Sequence, residues 1–245
     1  MRRQFVACYA WKMPAFTTPN RPEPEIDHRT MKLIVGVIAI SLAFLTSFFA
    51  TSTLTSISAS YYQGGWSQSI FIGFLFAIAS FLLAYNGLTT NEMVLSKLAS
   101  VAGLCVALFP CACDGHPVRV PGIHYVAAAV MFLVLAAFCA IFYRRAKAKG
   151  HKEARARAGV YFACGAVIVI SIVALAFNGL SHQLLERWIP RPTFYGEAVG
   201  LIAFGISWLM ASHVLPGFNR ADERYSLIPE RISEPTQDVE AAPGR

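Results

Sequence analysis

The stretch LIVGVIAISLAFLTSFFATSTLTSISASYYQGGWSQSIFIGFLFAIASFLLAYNGLTTN, Leu33 to Asn91, runs for 59 residues without a single Asp, Glu, Lys or Arg. One helix across the hydrocarbon core of a bilayer needs about 20 apolar residues, so this run holds more than one span. Its middle, Thr51 to Ser69, is rich in hydroxyls and broken by Gly64-Gly65. A polar break of this kind predicts a loop at the membrane surface, with Tyr61, Tyr62 and Trp66 suited to the interface. Two helices follow, Leu33–Thr53 and Ser69–Tyr85.

Working outward, the same test finds four more spans: Leu98–Cys111, Gly122–Tyr143, Gly159–Gly179 and Phe194–Val214. The third is the shortest and stops near Pro110, which predicts a tilted or partly re-entrant segment. The composition agrees with a membrane protein. Of 245 residues, 56% are hydrophobic and only 14% charged, whereas a soluble domain is nearer one quarter charged. The runs also lack the polar face that a globular core helix keeps. The expected fold is therefore all-α, an integral membrane bundle of six transmembrane helices with both termini cytoplasmic.

The orientation comes from the basic residues. Six alternating spans put both termini on one side, together with 18 of the 21 Lys and Arg. Arg119, Arg187 and Arg191 alone fall on the other side, which is the positive-inside pattern. Residues 1–32 are expected to form a cytoplasmic tail, 33–214 the transmembrane domain and 215–245 a polar cytoplasmic tail. Both tails are expected to be poorly ordered or loosely docked. Six basic residues precede the first apolar run, so the first helix is expected to be an anchor rather than a cleaved signal. The expected location is the bacterial cytoplasmic (inner) membrane.

The formal charge of +7 resolves along the same lines. The loop Arg144 to Arg157, RRAKAKGHKEARAR, carries seven basic residues and one acid. It is favoured as an orientation signal, and anionic lipid headgroups are its candidate partner. Nucleic acid is not expected, because no aromatic residues interleave the charges and a membrane flanks both sides.

Ionisable groups inside spans are costly, so each begins as a candidate site. Three stand out: His124, Glu197 and His213. On the side away from the termini, His116, His182, Asp114 and Glu186 gather in the loops with Ser56, Ser58 and Tyr61. Three histidines and three carboxylates on one face suit a metal site or an acid–base pair. Their spacing matches no ligand signature, with neither H-x-x-x-H nor H-E-x-x-H present. No metal or cofactor is expected, and the catalytic residues of any enzyme reading stay unknown. His124, Glu197, Ser56, Ser58 and Tyr61 are the candidate ligand-binding residues.

Among the cysteines, Cys139 and Cys164 fall inside spans and read as small packing residues. Cys111 and Cys113 form C-x-C, a spacing at which a bridge is expected to be strained. Pairing among Cys105, Cys111 and Cys113 is left open. Small residues predict close helix contacts, within the chain or in a homo-oligomer: Gly196, Gly200 and Gly205 in the sixth span, and Gly159, Ala163, Gly165 and Ala166 in the fifth.

Four segments, Ser56–Gly87, Lys97–Pro110, Ile123–Leu133 and Tyr195–Leu209, together resemble a group of uncharacterised bacterial six-span membrane proteins of unknown function. More distantly the layout is similar to the DRAM/Frag/Sfk-type membrane proteins, whose eukaryotic members are associated with autophagy, lipid remodelling and lipid asymmetry. The resemblance covers about two thirds of the chain. It implies that Ser56, Ser58, Tyr61, Pro110, His124, Glu197 and Trp208 occupy the group's patterned positions. The group often carries an Arg-Asp pair where this chain has Gln68-Ser69, a departure that weakens any charge-based mechanism the resemblance would imply for the first loop. The seven-span lipid hydrolases that include alkaline ceramidases place an H-x-x-x-H in the last span; here that span offers only His213.

The leading expectation is a non-enzymatic membrane protein that binds lipid or a small molecule in an outward-facing polar cavity, or serves a larger membrane complex. The alternatives are a membrane-embedded metal-dependent hydrolase using His124, Glu197, Asp114 and His116, and a small-solute transporter.

Overall fold

A computed structural model describes residues 27–181, 183–220 and 223. Within them the chain forms six long helices and no strand: α1 (His28–Phe48), α2 (Gly65–Ala84), α3 (Thr90–Leu108), α4 (Ile123–Lys149), α5 (Lys152–Leu180) and α6 (Pro192–Ala211). All six are long and apolar enough to cross a membrane. Each helix packs on its neighbours in the chain and α6 closes back onto α1, so the bundle is a ring. The end that holds the start of α1 and the end of α6 is the proximal end; the opposite end is distal. Large apolar side chains are exposed on every helix, among them Phe44, Phe48, Leu133, Phe162, Ile170 and Leu180. Apolar surface of this extent on every side of a bundle is what a lipid environment stabilises.

The number of spans and their alternation follow the sequence reading, but several helix ends move. α1 begins at His28 rather than Leu33, because the Asp27 carboxylate accepts the Arg29 N–H at 2.8 Å and caps the helix. The third span starts at Thr90, eight residues before the expected Leu98. The Thr89 hydroxyl accepts the Glu92 N–H, and the Glu92 side chain accepts the Thr89 hydroxyl at 3.0 Å. This cap draws two charged residues, Glu92 and Lys97, into the helix. The resulting 19 residues are long enough to cross a bilayer as one continuous helix. Phe109, extended ahead of Pro110, ends it.

The basic loop is mostly not a loop. α4 continues through Lys149 and α5 begins at Lys152, which leaves Gly150 and His151 as the elbow. Ala, Lys and Arg are strong helix formers. Gly150 takes the left-handed conformation that ends α4, with φ of 75°. The His151 ring accepts the Ala154 N–H at 3.2 Å and starts α5.

The core centres on Trp208 of α6, which is fully buried and within 6.3 Å, ring centre to ring centre, of Tyr85, Phe138, Phe142 and Phe204. α6 owes its place to small residues on several sides. A Cβ at Gly196 would meet Leu175 of α5 at 2.8 Å, one at Gly200 would meet Phe132 of α4 at 2.6 Å, and one at Gly205 would meet Ile40 of α1 at 2.5 Å. In α5, a Cβ at Gly165 would meet that of Cys139 at 3.1 Å, while one at Gly159 would meet open space. At the proximal end, residues 215–220 and Glu223 pack back onto the bundle, with Asn219 buried. The rest of both expected tails, residues 1–26, 221–222 and 224–245, lies outside the described residues, as does His182.

Candidate functional site

At the distal end the α1–α2 connection folds inward. Leu54 and the whole of Ser56–Ser60 are buried, and Ser58–Tyr62 form a 3-10 helix. Glu197, in the second turn of α6, fastens this segment down. One carboxylate oxygen accepts the N–H groups of Ile57 at 2.5 Å and Ser58 at 3.2 Å, and the other accepts the Ser58 hydroxyl at 3.1 Å. The Phe194 N–H donates to the Thr55 carbonyl at 3.1 Å, a second tie between the same segments. The Ser56 hydroxyl accepts the Ala59 N–H at 2.9 Å, which shapes the turn, and lies 3.6 Å from Cys113 Sγ.

The other candidate residues have partners of their own. The His124 ring donates through Nδ1 to the Phe109 carbonyl at 2.8 Å, fixing the end of α3 to the start of α4. Tyr61 packs edge-on against Tyr62, whose ring stacks on His116 at 4.0 Å and whose hydroxyl donates to the Cys111 carbonyl at 2.7 Å. Asp114 accepts the Thr55 hydroxyl at 2.9 Å, and Glu186 is exposed. The structure thus brings together Glu197, Ser58 and, through the turn, Ser56, whereas His124, His116 and Asp114 are each engaged separately. Among the described residues no three His, Cys, Asp or Glu side chains are grouped as metal ligands. Cys111 and Cys113 are joined by a disulfide, the pairing their close spacing had argued against, and Cys105 is free.

Two spaces lie along α6, and the smaller is lined by Glu197. A cavity of about 30 Å³ is bordered by Ser58, Glu197, Leu42, Phe71, Met131 and Leu201, roomy enough for a water molecule. A larger groove of about 370 Å³ lies between α1 and α6, lined by Ala43, Phe44, Ser47, Phe48, Phe194, Ala198 and Ile202. The spacing of these residues along each helix places them on one face. Arg191, which precedes α6, lies beside one of these lining residues, with its guanidinium carbon 5.1 Å from the centre of the Phe194 ring. One nitrogen donates to the Leu54 carbonyl at 3.3 Å. Among the described residues no carboxylate pairs with Arg191.

The proximal end holds groups that the sequence reading did not single out. Glu92 is fully buried and forms a salt bridge with Arg145 of α4. It also accepts the Tyr85 hydroxyl and the Leu88 N–H. Ser96, Ser100 and Lys97 donate to the carbonyls of Leu82, Ala79 and Leu83, stitching α3 to α2. Lys32 lies over the rings of Tyr85 and Phe142, 5.4 and 5.3 Å from their centres. Arg157, 1% exposed, donates to the Phe218 carbonyl at 2.6 Å, Asn219 at 2.8 Å and Glu223 at 2.9 Å. The Thr89-x-x-Glu92 pattern was available as a capping-box signal for Glu92. Arg157 had no such local signal, because its partners lie about sixty residues further along the chain.

Fold and site together define an all-α, multi-pass membrane protein of six spans. No family model, curated protein or solved structure matches the chain.

Proposed function

We propose that this is a non-enzymatic protein of the bacterial cytoplasmic (inner) membrane, with both termini cytoplasmic, that binds a phospholipid at its outward-facing distal end, alone or as a subunit of a membrane complex. The observation that carries the reading is the α1–α6 groove beneath Arg191. Its walls are apolar and suit an acyl chain. The arginine beside Phe194 has no carboxylate partner among the described residues and suits a lipid phosphate, which a guanidinium can hold with two parallel hydrogen bonds. Glu197, Ser56 and Ser58 contribute by holding the Leu54 segment against α6, so that the Leu54 carbonyl can orient Arg191. Tyr61 and His124 brace the remainder of the distal end. The resemblance to lipid-remodelling membrane proteins supports a lipid ligand.

Native mass spectrometry of the full chain, extracted in mild detergent, tests this directly. The wild type retains one phospholipid; Ala198→Trp, which fills the groove, and Arg191→Gln, which leaves the helices untouched, both lose it. A wild-type protein that carries no lipid, or an Arg191→Gln protein that carries as much as wild type, overturns the reading.

A further inference from the structure

The proximal elbow between α4 and α5 holds one carboxylate among several cations. Glu223 Oε2 accepts from Arg157 Nη2 at 2.9 Å, while Glu223 Oε1 lies 2.5 Å from Lys149 Nζ and 3.5 Å from His151 Nε2. Arg29 donates to the Glu223 backbone carbonyl at 3.4 Å. A second acid among the described residues, Glu153, contacts His151 Nδ1 at 3.1 Å and Arg220 at 4.0 Å. The carboxylate thus has each oxygen held from a different side, and Arg157 behind it is closed off from solvent.

The position of this cage is set by helix length. α4 and α5 contain 27 and 29 residues, about 40 and 43 Å at 1.5 Å per residue, against a hydrocarbon core of about 30 Å. The excess carries the Gly150–His151 elbow beyond the hydrocarbon and into the headgroup layer. Arg144, Lys147, Lys152 and Arg155 add positive charge around it.

A buried guanidinium needs an anion beside it, since removal of its partner leaves an uncompensated charge. Glu223 meets that need with a single negative charge and two oxygens. A phosphate monoester brings close to two charges and three strong acceptor oxygens, which matches the Arg157 fork, the Lys149 ammonium and the His151 N–H more fully. Glu223 stands where such a group would bind.

We propose that Arg157, Lys149 and His151 form a binding site for a dianionic phosphate group, and that Glu223 is its built-in competitor. The segment bearing Glu223 docks in the absence of phosphate and is displaced when phosphate binds. The chemistry is shared by a phosphomonoester lipid headgroup and by free inorganic phosphate.

The test uses the full chain in nanodiscs and does not depend on the distal groove. Inorganic phosphate is titrated calorimetrically into protein held in phosphatidylcholine. In a second arm, hydrogen exchange at Phe218 and Asn219 is compared between phosphatidylcholine discs and discs containing phosphatidic acid. Glu223→Gln, which keeps the side chain's shape and an acceptor oxygen for Arg157 but removes the competing charge, binds phosphate at least about tenfold more tightly than wild type. Lys149→Gln, at an exposed position, abolishes the binding. Binding of the free ion assigns the site to phosphate in solution; faster exchange in phosphatidic acid alone assigns it to the headgroup. Equal phosphate affinity in wild type and Glu223→Gln with unchanged exchange in both kinds of disc overturns the proposal.

Discussion

Gly36 of α1 and Gly205 of α6 meet backbone to backbone: a Cβ on Gly36 would lie 2.8 Å from the Gly205 carbonyl oxygen, and one on Gly205 would lie 2.7 Å from that of Gly36. Backbone cannot swing aside as a side-chain tip can. Added bulk here must push the helices apart, and overpacking of this kind costs about 1–3 kcal/mol. This contact also closes the ring, and the proposed lipid groove lies further along the same α1–α6 seam.

The first prediction follows from that contact. Gly36→Ala and Gly205→Ala lower the thermal unfolding midpoint in detergent by several degrees. Gly159→Ala, where nothing lies within 4 Å of the new methyl, leaves it unchanged or raised slightly, since alanine is the better helix former. Equal midpoints for all three variants would show that the α1–α6 crossing does not limit stability.

The Glu92–Arg145 pair predicts an asymmetry between single and double substitution. Arg145→Met strands a fully buried carboxylate and costs about 3 kcal/mol or more. Replacing Glu92 with methionine as well removes the stranded charge and restores part of the loss. Recovery is incomplete, because the Tyr85 hydroxyl and the Leu88 N–H then lose their acceptor. Denaturant unfolding of the three variants checks this; a double variant no more stable than Arg145→Met refutes the pairing.

Acid weakens the fold in two successive windows. Burial, aided by the charges of Arg157 and Lys149, pushes His213 down to about 4 from its ordinary 6.5. Between those values the unfolded chain binds a proton that the folded chain resists, so stability falls as pH drops from 6.5 to 4 and this contribution is spent below. Glu223 is also held below its ordinary value, but by attraction to its neighbours rather than by burial. Desolvation works to raise it, but hydrogen bonds and charge from Lys149 and Arg157 outweigh that and hold it at about 2. Its stabilisation is complete above the ordinary carboxylate value of 4.5 and fades from there toward 2. Unfolding midpoints across this range show both declines in wild type, and His213→Gln abolishes only the upper one.

The six spans were legible because bilayer thickness imposes a length that any apolar run must meet, and Leu33–Asn91 already showed two of them. The small residues of α6 were legible for a related reason: Gly196, Gly200 and Gly205 remain identifiable whatever surrounds them. Helix ends were harder to place. Hydropathy ends a span at the first charge, whereas the backbone ends it at a cap, and at Thr89 and His151 the two disagree by seven or eight residues. The distal site was half legible. Glu197 and Ser58 were named individually, yet their bond crosses 139 residues of chain. Glu92–Arg145 and Arg157–Glu223 join groups 53 and 66 residues apart, and no local pattern marks such partners before the helices are set side by side.

Orientation supplies the last prediction. Among the described residues eleven Lys and Arg lie at the proximal end, Lys97 and those of the Arg144–Arg157 elbow among them, while three, Arg119, Arg187 and Arg191, are distal. Basic residues near span ends resist translocation, so the proximal end is expected in the cytoplasm. A variant whose only cysteine is Cys113 has a partly buried but reachable thiol in the distal α3–α4 connection once its disulfide partner is gone. A variant whose only cysteine is Cys8 places the thiol in the N-terminal tail. A membrane-impermeant maleimide added to intact cells labels the Cys113 protein and spares the Cys8 protein until the membrane is permeabilised. The opposite pattern would reverse the orientation, and with it would place the groove beneath Arg191 in the inner leaflet and the Arg157 cage outside the cell.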